Sequence, residues 1–364
     1  MSKTRAKKIL QTAIGLVIGL GLLWLLFRNT DWAEVGAAIR GVRIGWMLAA
    51  EALVVVSFFT RILRWRYIVR TAGPVSFRHM FSATQIGFLA NFTLPGRIGE
   101  LIRALALGRL ARLPFSKCLA MTALDRVLDL IGLAALIVVA LAAYRPSGEI
   151  VIPAETFGRE IHFAGNYVQR AELVMVVGLI ATLSALVVLY VKQNLMLRIS
   201  DRCVGVVSER LAARVHTMLQ DFAEGLHIFR SASDMAKSVF FSLVTWALFC
   251  LLTQAALAAF GIKGPWYTVF VLQVLVAVSI SVPGAPAFVG QFHVPIVVAL
   301  VMVVDGIDPS KAKAVAIVAH LANVIPVYAM GVFCLFWEKM GLLELSREST
   351  MAEQERAAAP SSEG

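Results

Sequence analysis

Charge is what this sequence has least of: only 16% of its 364 residues are Asp, Glu, Lys or Arg. Soluble domains average about 25%, so a water-soluble globular fold is excluded. Cysteine is scarce too, and Cys118, Cys203, Cys250 and Cys334 have the spacing of neither a disulfide framework nor a zinc site. The six histidines form no H-x-x-x-H or H-E-x-x-H pair, so no metal is expected. Walker A, G-x-S-x-G and G-x-G-x-x-G patterns are missing as well. No nucleotide cofactor and no nucleophile–base pair is therefore expected, and the chain does not read as an enzyme.

What the sequence has is apolar length. Hydrophobic residues make up 59% of it, and several runs reach the roughly 18 residues that cross a bilayer core of about 30 Å. Full spans are expected at 9–27, 44–60, 118–143, 172–191, 238–260 and 314–336. The first run follows SKTRAKK, as a signal peptide would. Its length and the FRNTDWAE that follows, with no small-residue cleavage site, favour a retained span. Gly15 and Gly19 in that span are a small-residue pair that lets another helix come close.

Two further apolar stretches are each broken by Pro-Gly: 79–110 at Pro95-Gly96, and 266–304 at Pro283-Gly284. If both turn back, 24 basic residues fall on the side of the N-terminus and nine on the other, with Arg126 inside a span. The positive-inside rule then places both termini in the cytoplasm. In this arrangement the two hairpins enter from opposite sides, as in an inverted-repeat transporter. Eight full spans with kinked helices are the alternative, and they weaken the charge asymmetry. The expected fold is thus all-α and polytopic. It comprises a basic N-terminus (1–8), a membrane domain (9–338) and a polar tail (339–364). The net charge of +11 points to anionic lipid at the inner leaflet of a bacterial cytoplasmic membrane rather than to nucleic acid.

Ionisable residues inside the membrane carry the functional signal. Asp125 and Asp129 are four apart and share a helix face, with Arg126 beside them. They lie about 10 and about 16 Å along a span that starts near Cys118. A charge at such depth costs about 2.5–3.5 kcal/mol on insertion scales, so pairing with Arg97 and Arg103 of the neighbouring hairpin is expected. The cluster either fixes the hairpin or handles substrate or protons.

In NFTLPGRIGELIR (91–103), Pro95 ends one helix and a new one starts near Arg97. The new N-terminus with Arg97 would form an anion site. Glu100 and Arg103 lie close enough to pair or to meet a zwitterionic headgroup. The second hairpin has no Arg and offers only Gln291 and His293. His293 and His320 either titrate, bind ligand or are simply hydrogen-bonded. Trp24, Trp46, Trp65, Trp246, Trp266 and Trp337 suit an interfacial belt. TRILRWRYIVR (60–70) suits a helix end snorkelling at the headgroups. Residues 197–230 suit a cytoplasmic amphipathic helix.

The blocks RILRWR (61–66), NFTLPGRIGELIRALALGR (91–109) and LDRVLDLIGL (124–133), in that order, resemble the flippase domain of lysylphosphatidylglycerol synthases and its stand-alone relatives. The hairpin at 283–291 and HLANVIPVYAMGVF (320–333) are similar to later blocks of the same family. The resemblance implies re-entrant helices around a cavity for a lipid headgroup. The matching positions are Arg64, Asn91, Pro95, Arg97, Gly99, Glu100, Arg103, Arg126 and Asp129. Ala285-Pro286 and Gln291 depart from the family's Gly-rich turn and acidic residue, and His320 stands where the family more often has Arg.

The sequence ends about 25 residues after the last expected span, which leaves no aminoacyl-transfer domain within it. The expected activity is movement or presentation of an anionic or polyprenyl-type lipid between leaflets, with membrane lipids as partners. Phospholipid, hopanoid-type and sugar-linked cargoes all fit. A non-transporting scaffold for a lipid-modifying enzyme or glycosyltransferase is the alternative.

Overall fold

A computed structural model describes residues 3–94, 97–146, 148–167, 231–282 and 284–348, with scattered positions between 170 and 202. The expected span at 172–191, the amphipathic helix at 197–230 and most of the tail lie largely outside the described residues. So do Pro95, Gly96 and Pro283 themselves.

Apolar runs with caps set the long helices. These are α1 (Lys3–Phe27), α3 (Ile44–Val69), α6 (Phe115–Ala143), α8 (Ala232–Ala259) and α11 (Pro309–Trp337), with a short α2 (Trp32–Arg40) after α1. Asp31 caps α2 and Asp308 caps α11 by accepting two backbone N–H bonds each, and Ser231 caps α8 through Asp234 N. Such caps satisfy amides that would otherwise have no partner at the helix start. Among the described residues, five stretches are helical, long and apolar enough to cross a membrane: α3, α6, α8, α11 and Pro286–Val303. The protein is an all-α polytopic membrane protein; of its shorter apolar helical stretches, Gly15–Phe27 lies in α1 and Thr268–Ser281 belongs to a hairpin.

The first hairpin is α4 (Phe77–Thr93) and α5 (Gly99–Ala111). The two helices run antiparallel and very close: a Cβ on Gly87 would sit 2.9 Å from Gly99 O, and one on Gly99 would sit 2.2 Å from Gly87 O. Only glycine permits that approach. The second hairpin is α9 (Thr268–Ser281), a 3-10 turn Pro286–Phe288 and α10 (His293–Val303). Gly264 lies against Val304 at its open end, and Gln291 reaches back to Ser279 and Val282 at its tip. Both stretches therefore fold back instead of crossing as kinked spans, and the Pro286–Val303 stretch is the returning arm of the second.

Side-chain contacts set the levels of the molecule. α3 runs antiparallel to α8, from Arg43 N bonded to Ala259 O, through Thr60 and Thr245 at 3.0 Å, to the Arg70–Asp234 ion pair. α11 begins where Lys313 donates to Thr30 and Glu155 O, passes Ala287 at His320 and Phe92 at Tyr328, and ends where Glu338 meets Arg78. The first hairpin opens at the Arg78 end and the second at the Tyr144 end, where Tyr144 donates to Met302 O. They thus enter from opposite sides, and their tips meet in the middle through Phe92 and Phe288, 5.1 Å apart at 88°. Gly15 and Gly19 of α1 pack against the second tip, at Gly284 O and Ala285, so the small-residue pair has a partner.

One feature is absent from the all-α expectation. Glu149–Ile152 (β1) pairs antiparallel with Ile161–Ala164 (β2), Ile152 opposite Ile161, around a single turn of helix, α7 (Ala154–Phe157). This small hairpin sits at the Tyr144 end, tied down by Lys313 to Glu155 O at 2.8 Å and Arg28 to Phe157 O at 2.9 Å.

Candidate functional site

Between the two tips, α3, α5 and α6 bring together the charges that the sequence scatters. Asp125 accepts from Arg64 Nε at 2.8 Å and from Arg103 at 2.7 Å, and Arg126 approaches the same carboxylate at 3.2 Å. Asp129 accepts from Arg64 at 2.5 Å and Arg126 at 2.8 Å. Glu100 stands 3.6 Å from Arg126. Arg64, Arg103 and Asp125 are all at most 2% exposed, so these pairs exist in a low-dielectric interior where charges need partners. Arg103 also stacks on Trp65, its guanidinium carbon 3.6 Å from the ring centre. Three guanidiniums thus face three carboxylates, and the network is neutral as a set.

Neighbouring groups hold its backbone in place. Ser242 of α8 donates to Leu128 O at 2.6 Å, and Trp246 donates to Asp129 O at 3.1 Å. Trp246 lies against Gly132, where a Cβ would come within 2.0 Å of its ring.

Two more guanidiniums, Arg61 and Arg97, have no carboxylate within ion-pairing distance among the described residues. Arg61 lies 5.1 Å from the ring centres of Phe88 and Phe249, and Arg97 lies 5.5 Å from that of Phe288. Both line one cavity of about 260 Å³, which also receives Asn91, Glu100, Arg126, Gln273, His320 and Asn323 among apolar walls. Cation–π contacts orient these arginines without neutralising them. The cavity is therefore apolar in body and carries positive charge beyond what its own carboxylates balance.

Several expected roles shift. Arg103 pairs with Asp125 as expected, but Arg97 does not: it faces the cavity. Arg103 turns away from Glu100 toward Trp65. Arg64 is the main partner of both aspartates and is fully buried instead of snorkelling, because α3 continues to Val69 and carries Arg61 and Arg64 inside the bundle. One amide of the α5 N-terminus is taken up within the hairpin: Asn91 Oδ1 accepts from Gly99 N at 2.9 Å. Gln291 braces its own hairpin by donating to Ser279 O and Val282 O.

His293 and His320 come within 4.5 Å of each other, His320 bonded to Ala287 O at 2.7 Å and His293 accepting from Gly290 N at 3.4 Å. Trp65 and Trp246 are buried, so only Trp24, Trp46, Trp266 and Trp337 of the six have the exposure of belt residues. Both hairpin tips hold non-glycine residues in the left-handed region, Arg97 at φ 55° and Ala287 and Phe288 at φ 52° and 56°. Such conformations store strain and gather at functional sites.

Arg61, Gln273 and Asn323 were missed by sequence reasoning. Arg61 had a readable signal, since it precedes Arg64 by three residues and so shares its helix face. The two amides had none.

Residues 12–331 match the family described as the lysylphosphatidylglycerol synthase TM region. The chain belongs to that family. A UPF0104 membrane protein of Methanothermobacter thermautotrophicus is 24% identical over 88% of this chain and 93% of its own length. A protein named Glycosyltransferase AglD, of Haloferax volcanii, is 28% identical over 47% of this chain but only 29% of its own length. No solved structure matches.

Proposed function

We propose that this protein moves or presents a lipid with an anionic headgroup, phospholipid or polyprenyl-type, between the leaflets of a bacterial cytoplasmic membrane. In this proposal residues 9–338 form the membrane domain and both termini face the cytoplasm. The observation that carries it is the pair Arg61 and Arg97, which line one cavity between hairpins that enter from opposite sides and have no carboxylate within ion-pairing distance among the described residues. A phosphate supplies the missing charge, and guanidinium matches it bidentately. Phe88, Phe249 and Phe288 form apolar walls beside it, while the tails stay in lipid. Asn91, Gly99 and Gln291 hold the hairpin tips. Arg64, Arg103, Asp125, Arg126 and Asp129 hold the first hairpin against α3 and α6. Glu100, His293 and His320 set the polar edge of the cavity and the second tip.

The test is leaflet exchange of headgroup-labelled phospholipid in proteoliposomes, with Arg61→Ala and Arg97→Ala beside wild type. The expected result is exchange above background in wild type and a loss of tenfold or more in both variants at unchanged folded amount, about 1.4 kcal/mol for each tenfold step. Full exchange in both variants would sink the proposal.

A scaffold for a glycosyltransferase is the second reading, favoured by the stretch shared with the protein named Glycosyltransferase AglD. It is supported if the two variants leave every cellular phenotype of a deletion restored.

A further inference from the structure

Apart from the central cavity, another lies at the end of the molecule where the first hairpin opens. Its volume is about 430 Å³, and its walls come from the end of α3, the loop into α4 and the first turns of α8. Val69 and Met80, both at most 1% exposed, line it alongside Arg66, Tyr67, Arg70 and Lys237. Arg70 and Lys237 lie on the ring of Tyr67, at 5.5 and 5.7 Å. Arg70 pairs with Asp234 of α8, but Arg66 and Lys237 have no carboxylate partner among the described residues. One aromatic ring thus gathers two cations at a recess with buried apolar side chains beneath, and the charge there is again unbalanced. Cations on an unstructured interface would spread apart by mutual repulsion; here two helices and a ring hold them together.

We propose that this recess is a separate binding site for a phosphate ester, with Arg66 and Lys237 as the ligand-facing cations and Tyr67 supporting Lys237. Arg70 is fixed by Asp234 and serves as the wall. The phosphate is either a lipid headgroup, whose glycerol end would cover Val69 and Met80, or a soluble phosphate ester. The site stands on its own residues and does not depend on the central cavity. Its ligand-facing Arg66 lies about 7.5 Å along α3 from Arg61, five residues at 1.5 Å each, and is not among the residues lining the central cavity.

Native mass spectrometry of the full chain with dioctanoyl phosphatidic acid separates the two cavities by stoichiometry. The expected result is a bound lipid lost from Arg66→Gln/Lys237→Gln and retained by Arg61→Gln/Arg97→Gln. Its apparent affinity falls about tenfold or more, since each basic residue near an anionic surface is worth about 1 kcal/mol. The exchanged pair Arg66→Lys/Lys237→Arg keeps the charge and is expected to keep the lipid, which guards against a merely misfolded double variant. A count unchanged in Arg66→Gln/Lys237→Gln overturns this site. If that count drops only in Arg61→Gln/Arg97→Gln, the central cavity survives alone. Competition by inorganic phosphate at the retained site identifies a soluble ester as sufficient, and no competition identifies the lipid as the source.

Discussion

The α4–α5 hairpin buries Arg103 on Asp125 at 2.7 Å and is tied through that aspartate to Arg64 of α3, whereas the α9–α10 hairpin contains no Asp, Glu, Lys or Arg at all. Yet the two follow one backbone plan. Each folds back at a Pro-Gly break, each has a left-handed non-glycine residue at the tip, and each closes on a carboxamide side chain, Asn91 in one and Gln291 in the other. The first is locked by charges that cannot be separated cheaply in a low-dielectric interior. The second is held by close packing on Gly15 and Gly19 and by hydrogen bonds between neutral groups. Displacing the second tip should therefore cost much less, which makes it the arm better suited to move while the first stays in place.

The sharpest break in this comparison comes from the aspartate. Asp125→Ala leaves Arg64 and Arg103 buried without their shared partner and is expected to cost about 3–5 kcal/mol. Gln291→Ala loses two hydrogen bonds and should cost about 1–3 kcal/mol. Thermal unfolding in detergent, followed by size-exclusion recovery, checks both. Equal losses would remove the distinction between a charge-locked and a packed hairpin.

A middle-sized effect is expected from glycine. Gly99→Ala places a methyl against Gly87 O and Asn91, and Gly19→Ala places one against Ala285. Each should cost about 1–3 kcal/mol by overpacking. The first should appear as loss of the folded protein and the second as release of the second tip, read as greater labelling of a cysteine placed at Val289. If Gly19→Ala leaves labelling unchanged, α1 is not what holds that tip.

The smallest effect concerns the strained tips. Ala287→Gly relieves a left-handed residue and should raise stability by about 0.5–1 kcal/mol, since glycine takes positive φ without penalty. Arg97→Gly should gain a similar amount while losing lipid exchange. A gain in stability at both, with exchange lost at Arg97 alone, would separate the strain from the charge.

How much of this was legible in advance follows from where each residue's energy comes from. The long helices, both hairpin breaks and the shared helix face of Asp125 and Asp129 are readable because hydropathy, helical period and Pro-Gly chemistry are local. The partners of those aspartates are not. Arg97 and Arg103 both precede Asp125 by a few helical turns' worth of chain and a loop, yet only Arg103 reaches it, because the tight Gly87–Gly99 crossing turns one face of α5 toward α6. The Trp pattern misled for the same reason. Trp65 and Trp246 sit where a belt residue could, but a bundle made by α3 and α8 encloses them.

By itself, then, the amino-acid order determined that this chain is a helical membrane protein of the lysylphosphatidylglycerol synthase TM region family with two broken hairpins and costly charges inside it. Only the tertiary structure decided which charges cancel. Arg64, Arg103 and Arg126 meet three carboxylates, while Arg61 and Arg97 are left facing a cavity. Composition counts charges, but whether two of them neutralise each other depends on a separation of a few ångströms, and that distance is set by how helices far apart in sequence pack.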